Sequence, residues 1–150
     1  MSKLKKILIL LVIVLVAIQF IPSARNQNGQ ILASDLTKTV SVPANVLGIL
    51  KTSCYDCHSN NTNYPWYSHI QPARFIQDRH VKEGKENLNF SDFGSYSDRK
   101  KRNKLRAIAS SIRNGIMPLS SYSMMHSDAK LSPKNKALII SWAENESRKF

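Results

Sequence analysis

The stretch Cys54-Tyr55-Asp56-Cys57-His58 decides how the rest of this chain is read. Two cysteines three positions apart, with a histidine directly after the second, form C-x-x-C-H. In this pattern two thiols add to the vinyl groups of one haem and the adjacent imidazole ligates its iron. The competing readings lack their context. A thioredoxin-type dithiol needs a βαβ surrounding, a structural zinc site needs four ligands where three stand together, and a simple disulfide leaves His58 without a role. These two cysteines are the only ones among 150 residues, too few for a disulfide scaffold and the number one covalent haem c requires.

Outward from the motif, the periodicity is helical throughout. Pro43 suits a first helical turn, and Val46, Ile49 and Leu50 form one apolar stripe leading into Ser53 and Cys54. Ser59 to Tyr67 reads as a loop whose Tyr64, Trp66 and Tyr67 lie against something apolar. A second helix is expected from Pro72 to about Glu83, with Gly84 as its stop, followed by a folded loop over 85–98. Leu105, Ile108 and Ile112 repeat at helical spacing between Asp98 and Asn114, and Gly115 stands where a C-terminal glycine belongs. The last helix opens with Ser132 as N-cap and Pro133 at its first position, and presents Leu138, Ile139 and Trp142 on one side. No alternating strand pattern, repeat or phosphate loop occurs, so the fold class is all-α with long loops.

His58 is the expected proximal ligand, and the leading candidate opposite it is Met117. It follows a helix and Gly115, and Pro118 fixes the backbone just beyond it. The alternatives are Met124, Met125, His126, His80 and His69, or an open sixth position.

The N-terminus is different in kind. Lys3, Lys5 and Lys6 precede an apolar run from Ile7 to Ile18, extended through Phe20 and Ile21 with only Gln19 interrupting. This is an export signal or a membrane anchor. The best cleavage site ends at Ala24 and puts Pro22 at −3, where a small residue belongs, so an uncleaved anchor over residues 1–25 is favoured. The lysines orient it with the N-terminus in the cytoplasm and the remainder outside, as a single-pass protein of a bacterial inner membrane with its haem domain in the periplasm. Residues 26–41 read as a polar tether, and 42–150 as the haem-binding domain.

Charge follows the same division. The chain carries 22 Lys and Arg against 10 Asp and Glu, net +12, which alone would raise nucleic acid as a partner. Four of the basic residues and no acid lie in 1–25, so the exported part holds 18 against 10, or +8. Export excludes nucleic acid. Arg99, Lys100, Lys101, Arg102, Lys104 and Arg106 then form a candidate surface for an acidic redox partner.

Cys54 to His58, Gly115-x-Met117-Pro118 and the Leu131-Ser132 to Trp142 helix are similar to a monohaem class I cytochrome c. That resemblance implies that the helix before the cysteines crosses the last helix, pairing Val46, Ile49 and Leu50 with Leu138 and Trp142. Ser53 to Asn60, Tyr64-Pro65-Trp66-Tyr67, His80-Val81 with Gly84, and Leu88-Asn89-Phe90-Ser91 resemble more closely the bacterial, Bacteroidetes-type "haem-binding domain" family of anchored proteins, over about residues 35–146. The resemblance implies haem attachment more firmly than a pathway.

Methionine and histidine together favour ferrous iron, raise the potential and leave no open site for oxygen or peroxide. The expectation is an electron carrier, not an enzyme, with no small-molecule substrate. A haem peroxidase or oxidoreductase cytochrome subunit, and a gas or redox sensor, are the alternatives if the sixth position opens.

Overall fold

A computed structural model describes residues 2–23 and 25–150, so the cleavage candidate ending at Ala24 lies outside the described residues. Eight α-helices follow one another among the described residues: α1 Lys3–Ala17, α2 Leu36–Thr39, α3 Ala44–Ser53, α4 Tyr55–His58, α5 Ala73–Asn87, α6 Asp98–Arg113, α7 Ser120–Met125 and α8 Pro133–Ser147. Among the described residues there is no strand, only an isolated antiparallel bridge between Gln27 and Asn61. The chain is all-α.

The scaffold is the pair α6 and α8, with α3 packed across α8. Helix α6 starts where Ser97 accepts a hydrogen bond from the Lys100 amide, and it ends at Gly115, whose φ of +68° favours a residue without a Cβ. Its buried face is Leu105, Ile108, Ala109 and Ile112, an i, i+3, i+4, i+7 stripe. Helix α8 repeats that logic: the Ser132 hydroxyl accepts from the Asn135 amide at 3.1 Å, Pro133 stands at the first turn, and Ile139, Trp142, Ala143 and Glu146 turn inward. Val46 and Leu50 of α3 join this core, and the Trp142 indole donates to the Ser41 carbonyl at 2.9 Å. Leu138 is only half-buried.

Three expectations change. Residues 26–41 do not hang free: Leu36 is fully buried, Val40 joins the same core, and Asp35 caps α2 by accepting from the Thr37 amide at 2.9 Å. Isolated apolar residues in a polar stretch carry no period, yet two of them complete the core. Helix α5 does not stop at Gly84 but runs one further turn to Asn87. Trp66, expected against an apolar surface, is 76 % exposed.

Among the described residues no helix is long and apolar enough to cross a membrane. Helix α1 has 15 residues and gives way to a 3₁₀ turn at Ile18–Phe20, so its α-helical part measures roughly 22 Å at 1.5 Å per residue. All its large apolar side chains are exposed.

Candidate functional site

Cys54 ends α3 and α4 begins at Tyr55, so the cysteine motif is a corner between two helices. The Cys57 and His58 amides both donate back to the Cys54 carbonyl, at 3.3 and 3.0 Å, closing a single tight turn. Both cysteines are free thiols and half-buried. Burial pushes Cys54 up to about 12, with Cys57 adding to the shift, and Cys57 up to about 11, with Asp56 adding. Both groups are therefore neutral thiols at physiological pH.

His58 is oriented by α5. Its Nδ1 lies 3.0 Å from the Gly84 carbonyl and 3.0 Å from the Leu88 carbonyl. Two acceptors facing one nitrogen require that Nδ1 carry the proton, which leaves Nε2 with its lone pair free to ligate a metal. Burial lowers the basicity of this imidazole, against the two carbonyl bonds that raise it. The bonds form because α5 comes very close to the motif, and Gly84 allows it: a Cβ there would stand 2.5 Å from the Cys57 carbonyl oxygen.

The residues after the motif are pinned by polar contacts. The Asn60 amide donates to Ser91 Oγ at 3.0 Å, Asn89 Nδ2 donates to Asn60 Oδ1 at 2.9 Å, and Tyr55 stacks on Phe90 with ring centroids 4.9 Å apart. Asp56 is held on both oxygens, by the Asn63 amide at 3.0 Å and by the Tyr122 hydroxyl at 2.7 Å.

Around this corner lies a cavity of about 360 Å³. Cys54, Cys57 and His58 line one part of it, Ile108, Ile112 and Leu131 another, and Met117 with Pro118 belongs to the connection between α6 and α7. That connection is set by the end of α6, where the Ile116 and Met117 amides donate to the Ser111 carbonyl at 2.9 and 3.2 Å. Sequence reasoning put His58 and Met117 at one site, and both line this cavity.

The other ligand candidates separate. His80 lines the cavity. His126 uses both ring nitrogens, Nε2 toward the Tyr67 hydroxyl and Nδ1 toward the Tyr122 carbonyl, each at 3.1 Å. His69 faces Arg25, while Met124 and Met125 are 80 % and 59 % exposed. Tyr122 and Lys104 also line the cavity; Tyr122 did not stand out in the sequence, and Lys104 did so only as one of the basic run on α6. No local pattern marks Tyr122, because it meets Asp56 across 66 residues.

The donor set fits a haem. Two thiols on one turn, an imidazole with its Nε2 free and an apolar wall surround one space, and Gly84 lets α5 close against the motif beside it. The chain matches the haem-binding domain family over residues 13–145. It belongs to the haem-binding domain family. Neither a curated protein nor a solved structure gave a match. The protein therefore binds haem. Of the family's matched span, the motif corner, α5 and the connection carrying Met117 bound the cavity.

Proposed function

We propose that this haem-binding protein is a membrane-anchored c-type cytochrome that transfers electrons and has no catalytic substrate of its own. The observation that carries the reading is the double hydrogen bond of His58 Nδ1 to Gly84 and Leu88, which presents Nε2 to a cavity also lined by Cys54 and Cys57. Cys54 and Cys57 would hold the macrocycle as thioethers, each thiol adding its S–H across a vinyl group, and His58 and Met117 would supply the nitrogen and sulfur donors to its iron. Haem bound in this way supplies a one-electron couple at its iron.

Met117 is preferred to His80 for a positional reason. His80 lies on α5, the same helix whose Gly84 carbonyl holds His58. Met117 comes from a separate segment after α6. A closed sixth position favours an electron carrier over a peroxidase or a gas sensor.

Two surfaces complete the reading. Counting the 3₁₀ turn, the exposed apolar rod from Lys3 to Phe20 reaches roughly 28 Å, close to the ~30 Å hydrocarbon core, with Lys3, Lys5 and Lys6 at the cytoplasmic face. This anchors the haem domain on the periplasmic side of the bacterial inner membrane. On α6, Arg99, Lys100 and Arg106 are exposed and suit an acidic redox partner, whereas Lys101 and Arg102 are drawn to Phe150 at the C-terminus.

The test is a set of absorption spectra of haem-loaded protein with and without Met117→Ala. Wild type is expected to show the weak far-red band of sulfur-ligated ferric haem and to exclude carbon monoxide when reduced. Persistence of that band in Met117→Ala sinks the ligand assignment. Ready carbon monoxide binding by the wild type favours the sensor or enzyme reading instead.

A further inference from the structure

Haem binding leaves one surface unexplained. Trp66, Ile70, Phe75 and Ile76, all within 11 residues, are 76, 49, 64 and 51 % exposed. Large apolar side chains grouped on a polar surface mark an interaction site. The segment 66–76 contains Arg74 and His69 and no acidic residue.

The apolar N-terminal run ends against this same segment. Gln19, the polar residue that interrupts the run, accepts from the Gln71 amide at 2.9 Å and donates from Nε2 to the Gln71 carbonyl at 3.3 Å. Arg74 donates to the Ile21 carbonyl, and the Ser23 hydroxyl donates to the Asp78 carboxylate just beyond. Phe20 and Ile21, next to Gln19 in the chain, are themselves exposed. Four hydrogen bonds thus hold the foot of the apolar helix to the start of α5.

We infer that the segment Trp66–Ile76, with Phe20 and Ile21, seats the haem domain on the lipid surface instead of leaving it to swing on a tether. The inference rests on α1 being the anchor. A bilayer whose acyl boundary meets the end of α1 also meets whatever is bonded to Gln19. The chemistry suits the interfacial layer: an indole at headgroup level, phenylalanine and isoleucine at the acyl boundary, and Arg74 beside lipid phosphates. Helix α5 then continues from the seat to His80 and Gly84 at the haem cavity, about one and two turns on. The seat fixes the height of the cavity above the membrane, so a redox partner has to present its own cofactor close to the membrane plane.

Photo-crosslinking of the full haem-loaded chain in nanodiscs containing anionic lipid tests this. Benzoylphenylalanine is placed by Val12→benzoylphenylalanine in α1, by Phe75→benzoylphenylalanine in the seat, and by Lys134→benzoylphenylalanine on exposed α8 as a reference. Mass spectrometry is expected to find lipid adducts at positions 12 and 75, with those at 134 at least tenfold fewer. Adducts at 12 without adducts at 75, adducts to protein at 75, or equal yields at 75 and 134 overturn the seat and leave the anchor standing. No lipid adduct at 12 overturns the anchor and the seat with it.

Discussion

Gly84 lies against Cys57 so closely that a Cβ on it would stand 2.5 Å from the Cys57 carbonyl oxygen and 3.1 Å from the Cys57 Cβ. The contact is with backbone, so no side chain can swing aside. An alanine must push α5 away from the motif, and α5 carries both carbonyls that orient His58 through Gly84 and its continuation to Leu88. Gly84→Ala is therefore expected to cost about 1–3 kcal/mol and to lower the yield of haem-loaded protein. Gly48→Ala is the control, since nothing lies within 4 Å of a Cβ there, and it should be neutral or slightly stabilising. Denaturant titration with haem quantitation reads both. Equal stability of Gly84→Ala and wild type would refute the close approach.

The bond from Tyr122 to Asp56 joins the middle of the cysteine motif to the helix that follows Met117 by three residues. It acts as a clasp across the cavity. Tyr122→Phe removes one hydrogen bond, worth about 1 kcal/mol, and leaves the ring stacked on His126 at 4.2 Å. Haem attachment should be unchanged, while the far-red sulfur band is lost at a lower pH on alkaline titration because the Met117 segment is freer to move. An unchanged titration midpoint would show that the clasp does not position Met117.

What the sequence made legible was local. Ser132 with Pro133, Gly115, the stripe of α6 and Ile139 with Trp142 on α8 are written in neighbouring residues, and the structure repeats them. The cysteine motif announced the site in five consecutive residues. Gly84 was misread as a helix stop because its role depends on a partner 27 residues away, and from its neighbours alone a glycine near a helix end looks like a terminator. Leu36 and Trp66 fail in opposite directions for the same reason: burial is a property of the assembled fold, and a single apolar residue without a period does not reveal it. Tyr122, brought to the cavity from a distant turn, had no sequence signal at all, and Lys104 was marked only by its basic neighbours, not by the cavity it lines.

Tyrosine ionisation offers a pH test that does not depend on the iron ligands. Tyr55 is raised well above the usual phenol range, chiefly by burial and then by Asp35 and Cys54, and Tyr122 is raised by burial and by its bond to Asp56. A phenol whose folded value is raised keeps its proton where the unfolded chain has lost it. Its stabilisation is therefore complete below the unfolded value near 10 and is lost as pH rises beyond it. Of the five tyrosines, Tyr55 and Tyr122 are expected to keep their protons above the usual phenol range in folded protein. The phenolate absorbance should accordingly reach its full amplitude only in a late stage that accompanies unfolding. Tyr122→Phe removes one equivalent from that stage. Simultaneous ionisation of all five near pH 10 would rule the prediction out.

Leu36 decides whether residues 26–41 belong to the folded domain. It is fully buried beside Phe90 and Phe93 in the core, and the Gly94 amide donates to the Ser34 carbonyl at 2.6 Å, tying this stretch to the turn after α5. A leucine in a free tether can be truncated at no cost to stability, whereas a fully enclosed one leaves a cavity. Leu36→Ala is thus expected to destabilise the domain by about 2–5 kcal/mol, as much as Ile139→Ala at the centre of α8. Ile31→Ala, five residues earlier and 72 % exposed, should change stability by less than about 0.5 kcal/mol. Chemical denaturation of the three variants gives the comparison directly. A Leu36→Ala curve that superimposes on that of Ile31→Ala would return the stretch to a tether and place the start of the fold at α3.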